Sequence, residues 1–129
     1  IASGLRPFYK DSDLQDRIVL VLCNLKKRNL VGFPSHGMVL CASNADHSVV
    51  EFVVPPAGSK LGERVFFEGL KADAPPEPES IVAKKKVFEA IAPDLKTDES
   101  GNVVWKTHVA KTSTGIIRAL NKMPNASVS

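Results

Sequence analysis

Residues 17–43, RIVLVLCNLKKRNLVGFPSHGMVLCAS, hold two apolar runs separated by a basic excursion that carries glycine and proline. The first run, 18–23, is apolar at every position. That predicts a strand covered on both faces, as in a barrel or a sandwich, rather than one side of an open sheet. The second run, 38–42, is shorter and of the same kind. Between them Lys26, Lys27 and Arg28 fall together, and Gly32, Phe33, Pro34, Ser35 and Gly37 exclude a helix. The expectation is a positively charged loop on a β scaffold.

Toward the N-terminus, residues 1–5 (IASGL) read as the tail of a strand reaching a glycine turn, broken at Pro7. Asp11, Ser12 and Asp13 are N-cap candidates for a short helix over 14–17, with acids at its positive end. Toward the C-terminus, a polar turn at 43–47 leads into 49–54 (VVEFVV), where Glu51 interrupts the alternation of Val50, Phe52 and Val54. This predicts a strand with one wetter face, ended by Pro55 and Pro56. A further short strand is expected over 64–68 (RVFFE). The prolines and acids of 72–80 (ADAPPEPES) suit a semi-rigid connector, and a domain boundary is placed there. Ile81, Phe88, Ile91 and Leu95 recur at helical spacing, predicting a helix over 81–92 that Pro93 stops. A Ser100-Gly101-Asn102 turn and two β-like runs, 103–106 and 116–120, complete the chain. They are too little for an independent core, so this part is expected to pack on the first.

The 129 residues, 43% hydrophobic and 24% charged, suffice for one core and a small appendage. A formal charge of +3 and a pI near 9.0 lean toward an anionic partner. Cys23 and Cys41 lie inside the two apolar runs, which predicts reduced, packed thiols. No apolar run is long enough to span a bilayer and none forms a secretory signal, so the expected setting is cytoplasmic, with no membrane partner. Ile1 is not a natural start, which suggests a fragment or a processed product.

Enzymatic constellations are weak. Cys41 with His36 or His47 could make a thiol and base, but a strand interior is a poor place for a thiolate. The histidines are scattered and no CxxC pair is present, so no metal is expected. No nucleotide-phosphate loop occurs and no cofactor is implied. Lys84, Lys85 and Lys86 are more informative, because they fall in the opening turn of the predicted helix, where the macrodipole makes like charge unfavourable. A phosphate backbone would relieve that conflict; the competing reading is a solvated charge run. Lys26, Lys27 and Arg28 with Phe33 nearby form a second cationic cluster of the kind that tracks phosphates while a ring stacks a base, although Phe33 could also be core. Phe52, Phe66, Phe67, Phe88 and Trp105 read most simply as core.

At 24–43, NLKKRNLVGFPSHGMVLCAS, the chain resembles the tRNA-binding domain family related to endothelial monocyte-activating polypeptide II. That family includes domains appended to some methionyl- and tyrosyl-tRNA synthetases and the auxiliary multisynthetase-complex proteins. The resemblance continues through VVEFVVPPAGSKLGERVFFEG and AKKKVFEAIAPDLKT, and loosens over 103–129. It implies a mostly β chain built as an oligonucleotide-binding (OB-fold) barrel, over 1–71, with a small α+β extension over 81–129 that mimics a second subunit and allows a monomer. The implied activity is non-catalytic, structure-directed tRNA binding and delivery to an aminoacyl-tRNA synthetase, in cis or in trans. A protein-interaction or cytokine-like fragment is the alternative. The family's loop signature transfers to Ser35, Gly37 and Met38, and its lysine run to Lys84, Lys85 and Lys86, with Val82-Ala83 where asparagine-proline is usual. Residues 1–5 correspond to the end of the third barrel strand, so the first two strands are expected to be missing. An unclosed barrel or strand exchange with a neighbour is the physical consequence.

Overall fold

The computed structural model describes residues 1–71 and 74–129, so the first two positions of the expected connector lie outside the described residues. The chain is mostly β. In order it forms α1 (Asp11–Leu14), β1 (Val21–Leu22), β2 (Arg28–Leu30), β3 (Phe33–Ser35), β4 (Met38–Val39), β5 (Cys41–Ser43), β6 (Val50–Val54), β7 (Phe66–Phe67), α2 (Glu79–Lys84) and α3 (Val87–Ile91). A 3-10 turn, Ala92–Asp94, leads to β8 (Leu95–Thr97), β9 (Val103–Trp105), β10 (His108–Thr112), β11 (Gly115–Ile116), β12 (Arg118–Ala119) and β13 (Ser127–Val128).

The strand VEFVV nucleates the core. Its β-branched and aromatic residues favour extended backbone, and period-2 alternation sends neighbours to opposite faces. Phe52 pairs across from Cys41 and packs on Leu5, with the Tyr9 ring 4.5 Å away. Val53 and Ala42 point the other way, into a second cluster with Leu95, Val103, Ile117 and Val128. Phe52 and Val53 are both fully buried, each burial stabilising by about 1.5–3 kcal/mol. The wetter face expected for this strand is therefore covered. Glu51, half-buried, accepts the Asn121 amide at 2.9 Å.

The main sheet, antiparallel throughout, runs β11-β10-β9-β8-β13-β5-β6-β12, with β7 also on β10. Its two ends belong to one continuous stretch: β11 and β12 are joined through Ile117, whose N–H reaches Ala110 and whose carbonyl takes the Val103 N–H. A bridge between Asn102 and Arg118 completes the ring, so the sheet closes on itself through C-terminal strands. Strands on both sides of the 72–80 stretch thus share one sheet and one apolar cluster.

The β1–β4 pair and the β2–β3 hairpin stand outside this ring as separate two-stranded sheets. The 18–23 run accordingly departs from expectation. Only Val21 and Leu22 are strand, Leu20 alone is buried, and Ile18 and Val21 are each 42% exposed, so one side of the run faces solvent while Val19, Leu20 and Val39 pack inward. Residues 1–5 carry no strand, although the Ala2 N–H bonds Ser35 Oγ. The short helix starts three residues earlier than predicted, since Asp13 Oδ2 takes the Lys10 N–H at 2.9 Å and so belongs inside the first turn.

Cys23, expected to be packed, is exposed, and Cys41 is buried. Burial pushes the Cys41 thiol up to about 11, so no thiolate is available there at neutral pH. Titration with an aromatic disulfide reagent at pH 8 should modify Cys23 rapidly and Cys41 only after denaturant is added. Fast modification of both thiols in the native protein would contradict this packing.

The expected helix over 81–92 is broken. Val82 is buried and Phe88 packs on the main core, yet six residues on a straight helix would set them about 120° apart. A turn through Lys86, in left-handed conformation (φ 48°), ends α2 and starts α3, letting both side chains face inward.

Candidate nucleic-acid interface

The basic excursion between β1 and β4 is a hairpin rather than a loop. Arg28, Asn29 and Leu30 pair with Ser35, Pro34 and Phe33 around a two-residue turn, Val31-Gly32. Directly opposed residues share a face, so Arg28, Leu30, Phe33 and Ser35 lie on one side of it. Phe33 is 52% exposed and thus not core. The turn has φ of 49° at Val31 and 80° at Gly32, a geometry ordinarily filled by Asn-Gly. A β-branched residue there costs on the order of 1 kcal/mol.

Behind the hairpin opens a groove of about 580 Å³. Lys26, Arg28 and Leu30 line one wall, and Val82, Phe88 and Glu89 line another. Lys84, the last residue of α2, and Lys85 and Lys86 of the α2–α3 turn fall in the chain between those wall residues, all three exposed and none of them lining the groove. The groove therefore sets Lys26 and Arg28 opposite the segment that carries the lysine run, more than fifty residues away in sequence. A tether joins them: Asn24, just ahead of Lys26, donates its side-chain amide to the Glu77 carbonyl at 3.0 Å, just ahead of α2.

Lys26, Lys27 and Arg28 are exposed, and residues 17–45 contain no aspartate or glutamate. Among the described residues the one ion pair joins Lys111 to Glu68 at 2.9 Å, so none of the six cations is held by a carboxylate. The helix break corrects the electrostatic argument made for the lysine run. Lys84 lies in the last turn of α2, where the macrodipole favours a cation, and only Lys86 caps a helix start. The run is locally comfortable, and it sits in the segment whose flanking residues, Val82, Ala83, Phe88 and Glu89, line the groove.

The three signature residues shape the wall. Ser35 is buried, and its hydroxyl accepts the Ala2 N–H and donates to the Gly37 carbonyl, both at 3.0 Å. A Cβ at Gly37 would meet the Leu22 carbonyl at 2.7 Å. Met38, half-buried, pairs with Leu22. Val31 was not singled out from the sequence; a β-branched residue before glycine between two short apolar-basic runs was the available signal.

Among the described residues no three His, Cys, Asp or Glu side chains could hold a metal, and no helix is long and apolar enough to cross a membrane.

Residues 1–64 match the family described as "Putative tRNA binding domain". The chain is 40% identical over 118 residues to the cytoplasmic tyrosine–tRNA ligase of Danio rerio, covering 91% of this chain. It is 41% identical over 100 residues to the tRNA-aminoacylation cofactor arc1 of Schizosaccharomyces pombe, covering 77% of this chain. In each case it spans only 22% of the relative's length. The crystal structure of the C-terminal domain of Plasmodium vivax p43 superposes with a TM-score of 0.85 at 34% identity, over 98% of this chain and 74% of that one. With the motif at 24–43, these similarities lead to one conclusion: the chain belongs to the tRNA-binding domain family.

Proposed function

We propose that this chain is a non-catalytic module that grips tRNA by its phosphates and delivers it to an aminoacyl-tRNA synthetase in the cytoplasm, in cis or in trans. The observation that carries the reading is one groove lined by Lys26 and Arg28 on one side and, on the other, by the α2–α3 segment in which Lys84–Lys86 fall, with none of these cations in an ion pair among the described residues. Phosphates spaced along a folded RNA meet both strips, Phe33 stacks on a base, and Ser35, Gly37 and Met38 hold the wall in shape. Residues 1–71 act as the OB-fold tRNA-binding core and 72–80 as a connector. Residues 81–129 stand in for a second subunit, supported by β8 and β13, which complete the ring beside β5. The chain on this reading works as a monomer.

Filter binding of a tRNA transcript across a salt series tests it. Six phosphate contacts predict an affinity falling roughly a thousandfold between about 50 and 200 mM monovalent salt. Binding that is absent at low salt, or insensitive to salt, would reject the reading.

A further inference from the structure

We infer that the tip of the β2–β3 hairpin is an apolar wedge that seats against unstacked bases of the bound RNA. The inference rests on the tRNA-binding reading and adds to it a non-ionic contact at a residue the sequence motif does not mark. Val31 is fully exposed and sits at φ 49°, where asparagine or glycine would be unstrained. Gly32 beside it stands in open space, with nothing within 4 Å of a Cβ placed there. Leu30 and Phe33, opposed in the pairing register, are both exposed immediately below. Val31 and Phe33 therefore project into solvent from a turn that a polar residue would fill better, with Leu30, which also lines the groove, beside them.

Charge complementarity commits the tip to nucleic acid. Arg28 lies on the same hairpin face, Lys26 and Lys27 precede it, and no carboxylate occurs anywhere in 17–45. Phosphates drawn to those cations bring bases to the tip, and aliphatic and aromatic side chains gain by covering base faces exposed in loops and at strand ends. A continuous duplex offers no such face. An acidic protein groove is the competing occupant.

The test compares the full chain with its Val31→Asn and Val31→Ile variants by fluorescence anisotropy. The probes are a tRNA transcript and a blunt RNA duplex of similar charge without unpaired bases. Asparagine keeps the turn, so its thermal midpoint should equal or exceed that of the parent. Its affinity for tRNA should fall about fivefold or more, with duplex affinity and the salt slope unchanged. Isoleucine should bind tRNA as the parent does. The inference is overturned if Val31→Asn binds tRNA like the parent or if it loses duplex affinity equally. Failure of the parent chain to bind tRNA at all would instead overturn the reading beneath it.

Discussion

Replacing Lys26, Lys27, Arg28, Lys84, Lys85 and Lys86 together by alanine should lower tRNA affinity on the order of a thousandfold near 0.1 M salt and flatten its salt dependence. Each neutralised phosphate releases roughly 0.7–0.9 of a counterion, so six lost contacts should reduce the slope of log K against log salt by about 4–5. The fold should survive. All six side chains are exposed and none is in an ion pair among the described residues. Only Lys84, in the last turn of α2, has a favourable local role, a few tenths of a kcal/mol to about 1. The two triple variants separate the rims. If the groove is gripped from both sides, each triple should lose part of the slope and the losses should sum to that of the sextuple variant. A sextuple variant with the parent's affinity and slope would show that these cations do not meet the phosphates.

How much of this was legible beforehand depends on whether the signal was local. The β class followed from apolar runs whose residues favour extended backbone, and VEFVV was read nearly to its ends. The basic cluster at 26–28 and the lysine run were visible as composition. Hidden were features set by distant partners. Residues 108–112 (HVAKT) lack an apolar pattern, yet form β10 because β7, β9 and β11 all pair with them. Cys23 looked like core because its run is apolar, but it is exposed just past the end of β1, and exposure depends on the neighbours the fold supplies rather than on the residue. The break at Lys86 was obscured because Ile81, Phe88 and Ile91 do fit one helical stripe; it is Val82, off that stripe and buried, that requires the bend. Closure of the ring through 115–119 depends on pairings with 101–103, 110–112 and 53–54, which no local pattern announces.

Gly101→Ala should be the most destabilising of the small substitutions, by about 2–5 kcal/mol, which for a chain of this size is a fall in thermal midpoint of roughly 8–20 °C. Gly101 is buried at φ 80°, a left-handed conformation that a Cβ disfavours. That Cβ would also lie 2.8 Å from Lys122 Cα and 3.0 Å from its carbonyl carbon, so backbone rather than a flexible side chain must move. Little freedom exists to move it. Asp98 braces the turn from within, its Oδ1 accepting the amides of Ser100 and Asn102 and its main-chain carbonyl those of Gly101 and Asn125. The Gly101 carbonyl in turn takes the Ala119 N–H, beside the Asn102–Arg118 bridge that closes the sheet. Separating 101 from 122 therefore loosens the closure itself, and with it the cluster of Val103, Ile117 and Ala119. Glu99→Ala, exposed in the same turn, should shift the midpoint by less than about 2 °C, since an exposed substitution typically changes stability by no more than about 0.5 kcal/mol. Below its own midpoint the Gly101→Ala protein should keep the parent's salt slope for tRNA, because position 101 does not line the groove. Equal midpoints for Gly101→Ala and Glu99→Ala would mean that the ring does not depend on this turn.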